Sequence, residues 1–192
     1  MKILKAVTAL VLTLVFTAGY AQNEIPQGYT KASIVLANGT ILSGHLKENI
    51  RRDAAISFID EANSKKKEYD GSDLVSVQFN EGKYLCIKGD FFKVVTEGEL
   101  SFLQKSSDAS GKSVYNGQEA VFINGTEGKP GDYFIYGAEK NELKKISKKN
   151  ITELTAGLFS GCAAAIEKAS TVNGDIALVK DAVEIFNNRN NK

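Results

Sequence analysis

The stretch Ser33–Phe58, SIVLANGTILSGHLKENIRRDAAISF, contains the clearest structural signals in the chain. Apolar and polar residues alternate on both sides of Asn38-Gly39, which is typical of half-buried β-strands. Asn-Gly between two alternating runs predicts a hairpin, because both residue types tolerate the positive φ of a type I′ turn. Gly44, inside the second run, predicts a bulge or sharp bend. We therefore expect a bent hairpin followed by a third strand that ends at Phe58.

Short extended segments continue from this hairpin to about residue 146. Turn residues separate them at intervals of roughly 8–12 residues, which is typical of antiparallel barrels and sandwiches. The further predicted strands are Ala55–Ile59, Lys66–Tyr69, Leu74–Phe79, Lys83–Lys88, Phe91–Thr96, Glu99–Gln104, Ala120–Asn124, Tyr133–Tyr136 and Glu142–Ile146. The polar segment Lys105–Gln118 is predicted to be a mobile loop where partners make contact.

The pattern changes from strands to helices at Asn150. Asn150 predicts a helix start, and Glu153, three residues later, predicts a capping box. Apolar residues then recur every three or four positions, as in a helix that packs one face on a core: Leu154, Leu158, Cys162, Ala165, Ile166 and Ala169. Asn173-Gly174 interrupts this pattern, and a second helix is predicted from Asp175. Its buried side comprises Val179, Ala182, Val183 and Phe186.

The first 21 residues are typical of a secretory signal. Lys2 and Lys5 make the start of the chain positively charged, the apolar run Ala6–Phe16 follows, and Gly19 and Ala21 are small residues near the expected cleavage site. A bilayer span requires about 20 apolar residues, so this run is too short for a membrane anchor. We expect the signal to be cleaved and the protein to be periplasmic or secreted, with no membrane span in the mature chain.

The expected organisation has five parts: a signal peptide at 1–21, an exposed lead-in at 22–29, a β domain at 30–147, a helical hairpin packed on it at 148–188 and a frayed tail at 189–192. The predicted fold class is α+β, a mainly antiparallel β barrel or sandwich followed by the C-terminal helical hairpin. Two cysteines can form at most one disulfide within the chain, which is too few to stabilise a small domain without a core. A hydrophobic core must therefore stabilise this fold.

Without its signal the chain is close to neutral. The signal contains two lysines and no acidic residue, so the 24 basic residues of the whole chain fall to 22, against 23 acidic ones. Attraction to nucleic acid or to an anionic membrane surface requires an excess of positive charge. Composition therefore predicts no nucleic-acid partner.

Several short motifs resemble those of known families. The span Ser33–Phe58 resembles the first three strands of a small SH3-like or Sm-like bent barrel. The mature chain is also similar to a loose group of uncharacterised secreted bacterial proteins. The shared features are the hairpin with Asn38-Gly39, Gly44 and Leu46, the run Thr96-Glu97-Gly98-Glu99-Leu100, and helices carrying Cys162 and Phe186-Asn187. The resemblance implies a β-barrel hairpin motif, a cysteine-bearing helical hairpin and export, but no established activity.

His45 and Tyr115 are the candidates for ligand contact. His45 is the only histidine and lies on the second strand of the predicted hairpin. A catalytic histidine needs a nucleophile and an orienting acid, and a metal site needs further ligands. An ordinary strand position is therefore the first interpretation of His45, and ligand contact is the second. Aromatic residues cluster on the later strands, and an exposed tyrosine patch near Tyr115 could bind sugar or protein.

Cys86 and Cys162 have two alternative interpretations. In an oxidising compartment they could form a disulfide between sheet and helix. Alternatively, both are buried free thiols, since free cysteine is among the most buried residue types. Cys162 lies on the apolar side of its predicted helix, which argues against a nucleophile.

The sequence contains no recognisable catalytic, metal or cofactor motif. Acidic residues such as Asp60, Asp70 and Asp90 fall in predicted turns, where aspartate stabilises the turn itself. We therefore expect a non-enzymatic binding or interaction module of the bacterial envelope, with an envelope protein or glycan as partner and no cofactor. Two alternatives stay open. One is a hydrolase of envelope polymers that uses loop carboxylates, and the other is a carrier of an apolar small molecule in a cavity between strands and helices.

Overall fold

The structure is a computed structural model that describes residues 25–80, 82–115, 117 and 119–190. The predicted signal peptide lies outside the described residues. The strands are β1 (Thr30–Leu36), β2 (Ile41–Asn49), β3 (Ala55–Asp60), β4 (Lys66–Asp70), β5 (Leu74–Phe79), β6 (Gly82–Ile87), β7 (Asp90–Thr96), β8 (Leu100–Lys105), β9 (Ser113–Tyr115), β10 (Ala120–Phe122), β11 (Tyr133–Gly137) and β12 (Glu142–Ile146). The helices are α1 (Ile50–Asp53), α2 (Ile151–Leu158), α3 (Ala163–Ser170) and α4 (Val179–Asn187), with a 3₁₀ turn at Ile176–Leu178.

Ten strands form one antiparallel sheet in the order β12-β11-β8-β7-β6-β5-β1-β2-β3-β4, and β9 pairs with β10 in a separate hairpin. The prediction of an α+β chain with an antiparallel sheet and C-terminal helices is confirmed. The sheet is not closed, since β4 and β12 form its two edges. Each edge strand contains a lysine pair, Lys66-Lys67 or Lys144-Lys145.

The hairpin predicted around Asn38-Gly39 is present, but its turn is not of type I′. The loop between β1 and β2 has four residues, 37–40, and only Gly39 among them has a positive φ, of 84°. Asn38 instead accepts a hydrogen bond from the backbone N–H of Thr40 at 3.0 Å through its side-chain oxygen. The longer loop needs one left-handed residue rather than two, so the I′ geometry is unnecessary.

Gly44 marks a close approach of two strands rather than a bulge. It pairs with Ala32 of β1 and Asp60 of β3, and the register of β2 is unbroken on both sides. A methyl group at this position would overlap with the carbonyl oxygen of Ile59 and would press on the ring of Phe58. The register is irregular elsewhere, between Val35 and Leu36 of β1 and between Val94 and Thr96 of β7. Glycine is needed at position 44 because no side chain fits there.

Two large cores occupy different parts of the sheet. The N-terminal core consists of residues from β1–β7 and α1: Ala32, Ile34, Leu46, Ile50, Ile56, Phe58, Tyr69, Leu74, Val77, Phe79 and Phe91. The helical core joins β8, β11 and β12 to the C-terminal segments: Leu100, Phe102, Ile135, Ile146, Phe159, Ala165, Ala169, Val172, Val179, Ala182, Val183 and Phe186. A third, small cluster contains Phe92, Leu103 and Phe134. Phe91 and Phe92 are both fully buried although neighbours on a strand face opposite ways. Both faces of β7 are therefore covered at its start.

The single long helix predicted from Asn150 is in fact two eight-residue helices, α2 and α3. The chain turns between them at 159–162, with Gly161 at φ 84°, and Phe159 in this turn is fully buried in the helical core. The capping box is also absent, because Asn150 accepts from the backbone N–H of Ser147 at 2.7 Å and donates to the carbonyl of Lys145 at 2.9 Å. No helix in the described part of the chain is long and apolar enough to cross a membrane.

The last helix, α4, is attached to the start of β8 by side-chain hydrogen bonds. Asn187 accepts from the backbone N–H of Leu100 at 3.0 Å and donates to the Leu100 carbonyl at 2.9 Å. Arg189 adds an ion pair with Glu99 at 2.6 Å. These contacts place Phe186, one residue before Asn187, against the sheet.

Candidate functional site

An open groove of about 620 Å³ lies where the C-terminal helices stop covering the sheet. Its apolar floor is formed by Leu100, Ile135, Leu154, Leu158 and Phe186. Alternate residues of a strand face the same side, so Ile135 and Gly137 of β11 both face the helices. Ile135 is covered by the helical core, while Gly137 lies beyond it. We call this feature the helix–sheet groove.

Two glycines without an evident packing role line the helix–sheet groove. Gly157 lies within α2, and a methyl group there would meet no atom within 4 Å. Gly137 lies at the end of β11, and a methyl group there would make only an ordinary contact with Leu100 at 3.6 Å. Neither glycine has the positive φ that favours the residue. Glycine inside a helix costs about 1 kcal/mol relative to alanine, and nothing in the packing at these positions requires it.

The rim of the groove is charged, with an excess of acid. It carries Glu99, Glu139, Glu142, Glu153, Lys140 and Lys144. Glu142 pairs with Lys144 at 3.0 Å, and Glu99 pairs with Arg189. Within the described residues, no ion pair involves Glu139, Lys140 or Glu153. The groove therefore combines an apolar floor with a net negative rim.

The rim carboxylates are poorly placed for general acid catalysis. Glu99, Glu139, Glu142 and Glu153 are all exposed. A carboxyl group that donates a proton near neutral pH needs an apolar surrounding that disfavours its charged form. The geometry therefore favours binding over hydrolysis at this groove.

The space between helices and sheet is filled rather than hollow. Val183 and Phe186 are buried in the helical core, and Leu158 and Ile166 pack against it. An apolar carrier needs an enclosed cavity, whereas the helix–sheet groove opens at the surface between charged residues. The carrier alternative thus has no support from this part of the fold.

His45 lies on the face of β2 that points away from the N-terminal core, since Gly44 and Leu46 on either side of it are buried. It is half-buried, and its cross-strand neighbours are Lys31 and Ile59. Among the described residues, no cluster of three metal-binding side chains occurs. His45 is not part of the helix–sheet groove.

Tyr115 ends β9 and pairs through its backbone with Ala120 of β10. Its side chain lies outside the described residues, so its contact with a ligand stays a prediction. Phe122, at the end of β10, is 67% exposed. The β9–β10 hairpin thus presents at least one aromatic side chain to solvent.

The structure leaves Cys86 and Cys162 as free thiols. Cys86 packs against the N-terminal core, while Cys162 packs against the helical core. The structure does not bring them together, because each belongs to a different core. Burial, with a smaller contribution from the charge of Asp70, raises the pKa of the Cys86 thiol. This thiol therefore stays protonated and is a weak nucleophile.

A buried ion pair between Lys105 and Asp90 is the feature that sequence reasoning missed. Both side chains are fully buried, and Lys105 Nζ lies 3.1 Å from Asp90 Oδ2. Lys105 also donates to the carbonyls of Thr126 at 2.8 Å and Gly128 at 3.1 Å. Asp90 accepts from the backbone N–H groups of Ala109 and Thr126, each at 2.7 Å. The pair therefore holds in place the loop between β8 and β9 and the loop between β10 and β11.

The segment Lys105–Gln118, predicted to be a loop, contains strand residues in its described part. Lys105 is the last residue of β8, and residues 113–115 form β9. Leu103 and Lys105 are two residues apart and therefore face the same side of β8. This spacing is the feature of the sequence that indicates burial of Lys105. The ammonium and carboxylate groups have hydrogen-bonding partners on all sides, so their role is structural. By contrast, Asp60 and Asp70 accept from backbone N–H groups two residues ahead, as expected of turn residues.

No family model, no curated protein and no solved structure matches the chain. The similarity to uncharacterised secreted bacterial proteins therefore stays a prediction.

Proposed function

We propose that this protein is an exported, non-enzymatic binding module of the bacterial envelope, and that the helix–sheet groove holds its ligand. The observation that carries this proposal is the open space at Gly137 and Gly157 above an apolar floor. Its volume of about 620 Å³ is within the range of roughly 300–1,000 Å³ typical of ligand sites. The partner is an envelope protein or glycan.

Export, to the periplasm or beyond the cell, is part of the proposal. It is supported by Lys2 and Lys5 before the apolar run Ala6–Phe16, with small residues after it. Edman sequencing or mass spectrometry of protein from the native host would find a mature N-terminus near Gln22. A chain that keeps Met1 in the cytoplasm would contradict export.

We further propose that β1–β7 form a small bent barrel rather than one layer of a sandwich. An isolated antiparallel bridge joins Gly71, just after β4, to Gly89, just before β7. These strands also share one core. Both observations support a sheet that curls toward closure, in keeping with the resemblance to SH3-like barrels.

The binding proposal is tested by filling the groove at Gly157. Purified wild type, Gly157→Trp and Gly157→Ala are used to capture ligands from a native envelope fraction. Wild type and Gly157→Ala should retain the same bound species, since alanine leaves the space open, and Gly157→Trp should lose at least 90% of it. Melting temperatures establish that all three variants are folded. An unchanged set of bound species in a folded Gly157→Trp would contradict the proposal.

A further inference from the structure

We infer that the ligand of the helix–sheet groove is a polypeptide segment with basic side chains next to apolar ones. This inference rests on the proposed function and specifies the chemistry of its ligand. It follows from the charge of the rim, the position of one acid next to the open space, and the edge strand beside the groove.

The charge of the rim favours a cation. Four carboxylates and two lysines surround the groove, and the pairs Glu142–Lys144 and Glu99–Arg189 are already formed. Among the described rim residues, two carboxylates, Glu139 and Glu153, form no ion pair, and one lysine, Lys140, forms none. The unpaired rim charges therefore sum to a net negative charge. A basic group entering the groove gains Coulomb attraction, whereas an acidic group meets repulsion.

The geometry of α2 places an acid directly beside the open space. Glu153 and Gly157 are four residues apart and therefore neighbours on one helix face. Leu154 and Leu158 extend the same surface with apolar side chains. A ligand that fills the space at Gly157 with an apolar group thus brings its adjacent group near Glu153. Basic and apolar side chains next to each other in a peptide satisfy both requirements.

The edge strand β12 supplies the argument for a polypeptide. Glu142 and Lys144 of β12 line the groove, and within the sheet β12 pairs with β11 alone. An edge strand has backbone N–H and C=O groups on its outer side that an extended segment can pair with. Asn150 already donates to the Lys145 carbonyl, so the part of β12 nearer Glu142 is left for a partner. The ion pair with Glu142 also offsets the charge of Lys144.

The test uses two fluorescein-labelled, acetylated heptapeptides. One alternates lysine with leucine and phenylalanine, and the other replaces every lysine by glutamate. Fluorescence anisotropy at low salt should show the lysine peptide binding wild type at least roughly tenfold more tightly than the glutamate peptide. Glu153→Lys should weaken the lysine peptide by about tenfold. Glu167→Lys, the same change on α3 outside the groove, should leave its affinity unchanged, and added salt should reduce the preference.

A neutral probe separates this inference from the proposed function. N-phenyl-1-naphthylamine, an uncharged apolar fluorophore, should bind wild type and Gly157→Ala but not Gly157→Trp. Suppose that the dye binds as expected but the two peptides bind equally well, or that Glu153→Lys does not change the affinity for the lysine peptide. The inferred ligand class is then wrong, while the groove remains the binding site. A glycan ligand predicts this result. If folded Gly157→Trp binds the dye as wild type does, the proposed function fails, and with it this inference.

Discussion

The two halves of the large sheet bury their apolar faces in different ways. The difference is visible in the space around Gly44 in one half and around Gly137 and Gly157 in the other. The N-terminal core is covered by strands β1–β7 and α1, and at Gly44 two strands approach so closely that no side chain fits. The helical core is covered by separate helices, and at Gly137 and Gly157 there is room for a side chain. Packing requires glycine at position 44, whereas nothing in the packing requires it at positions 137 and 157. The proposed ligand site lies beside these two glycines that packing does not require.

The largest effect is expected at β7 and β8, where the two halves meet. Lys105→Met leaves the carboxylate of Asp90 buried without its counter-charge, which should reduce the free energy of unfolding by about 3–5 kcal/mol. Urea denaturation measures this loss. The control Lys144→Met removes an exposed ion pair and should cost less than about 1 kcal/mol. A loss below about 1 kcal/mol in Lys105→Met would mean that the pair does not join the halves.

Gly44→Ala tests the tight packing of the N-terminal half. The added methyl group overlaps with the backbone of Ile59, so the strands must separate, and we expect a loss of about 2–3 kcal/mol in the free energy of unfolding. Gly137→Ala makes the same change in the half of the sheet that the helices cover, and it should alter the free energy of unfolding by less than about 0.5 kcal/mol. Equal effects in the two variants, measured by chemical denaturation, would remove the distinction between required and unrequired glycines.

Asn187→Ala examines how the helices are attached to the second half. It removes both hydrogen bonds to the backbone of Leu100 and should lower the free energy of unfolding by about 1–2 kcal/mol. Lys180→Ala, an exposed change on the same helix, should have an effect within about 0.5 kcal/mol. If thermal unfolding does not distinguish the two variants, α4 is held by apolar contacts alone.

The smallest expected effect has the opposite sign. Gly157→Ala replaces a helical glycine in open space and should stabilise the protein by about 0.5–1 kcal/mol. Gly161→Ala, only four residues away, should destabilise it by about 1 kcal/mol because that glycine has φ 84°. A decrease in melting temperature for Gly157→Ala would show that the space at this position is not free.

Much of the strand architecture was predictable because its signals are local. The predicted strands Leu74–Phe79 and Glu142–Ile146 match the observed bounds, since polar turn residues flank each of them. The break between α2 and α3 was missed, because Phe159 and Cys162 continue the apolar pattern through a turn that also faces the core. Helical periodicity does not separate a helix from a buried turn of similar spacing.

The candidate site was not predictable in the same way. His45 and Tyr115 were selected for their residue type, whereas the helix–sheet groove depends on where other residues meet. Its floor combines Leu100, Ile135, Leu154 and Phe186, which are separated by long stretches of sequence. Each of these residues resembles any other core position when considered alone.

The amino-acid sequence by itself determined most of the strands, the change to helices near Asn150 and the near-neutral charge, because these depend on neighbouring residues and on composition. Only the tertiary structure decided which face of each strand is covered, that Lys105 reaches Asp90, and that Gly157 stands over an empty space. These features arise where segments distant in sequence come into contact. Their energies depend on burial and distance, which no local pattern of residues specifies.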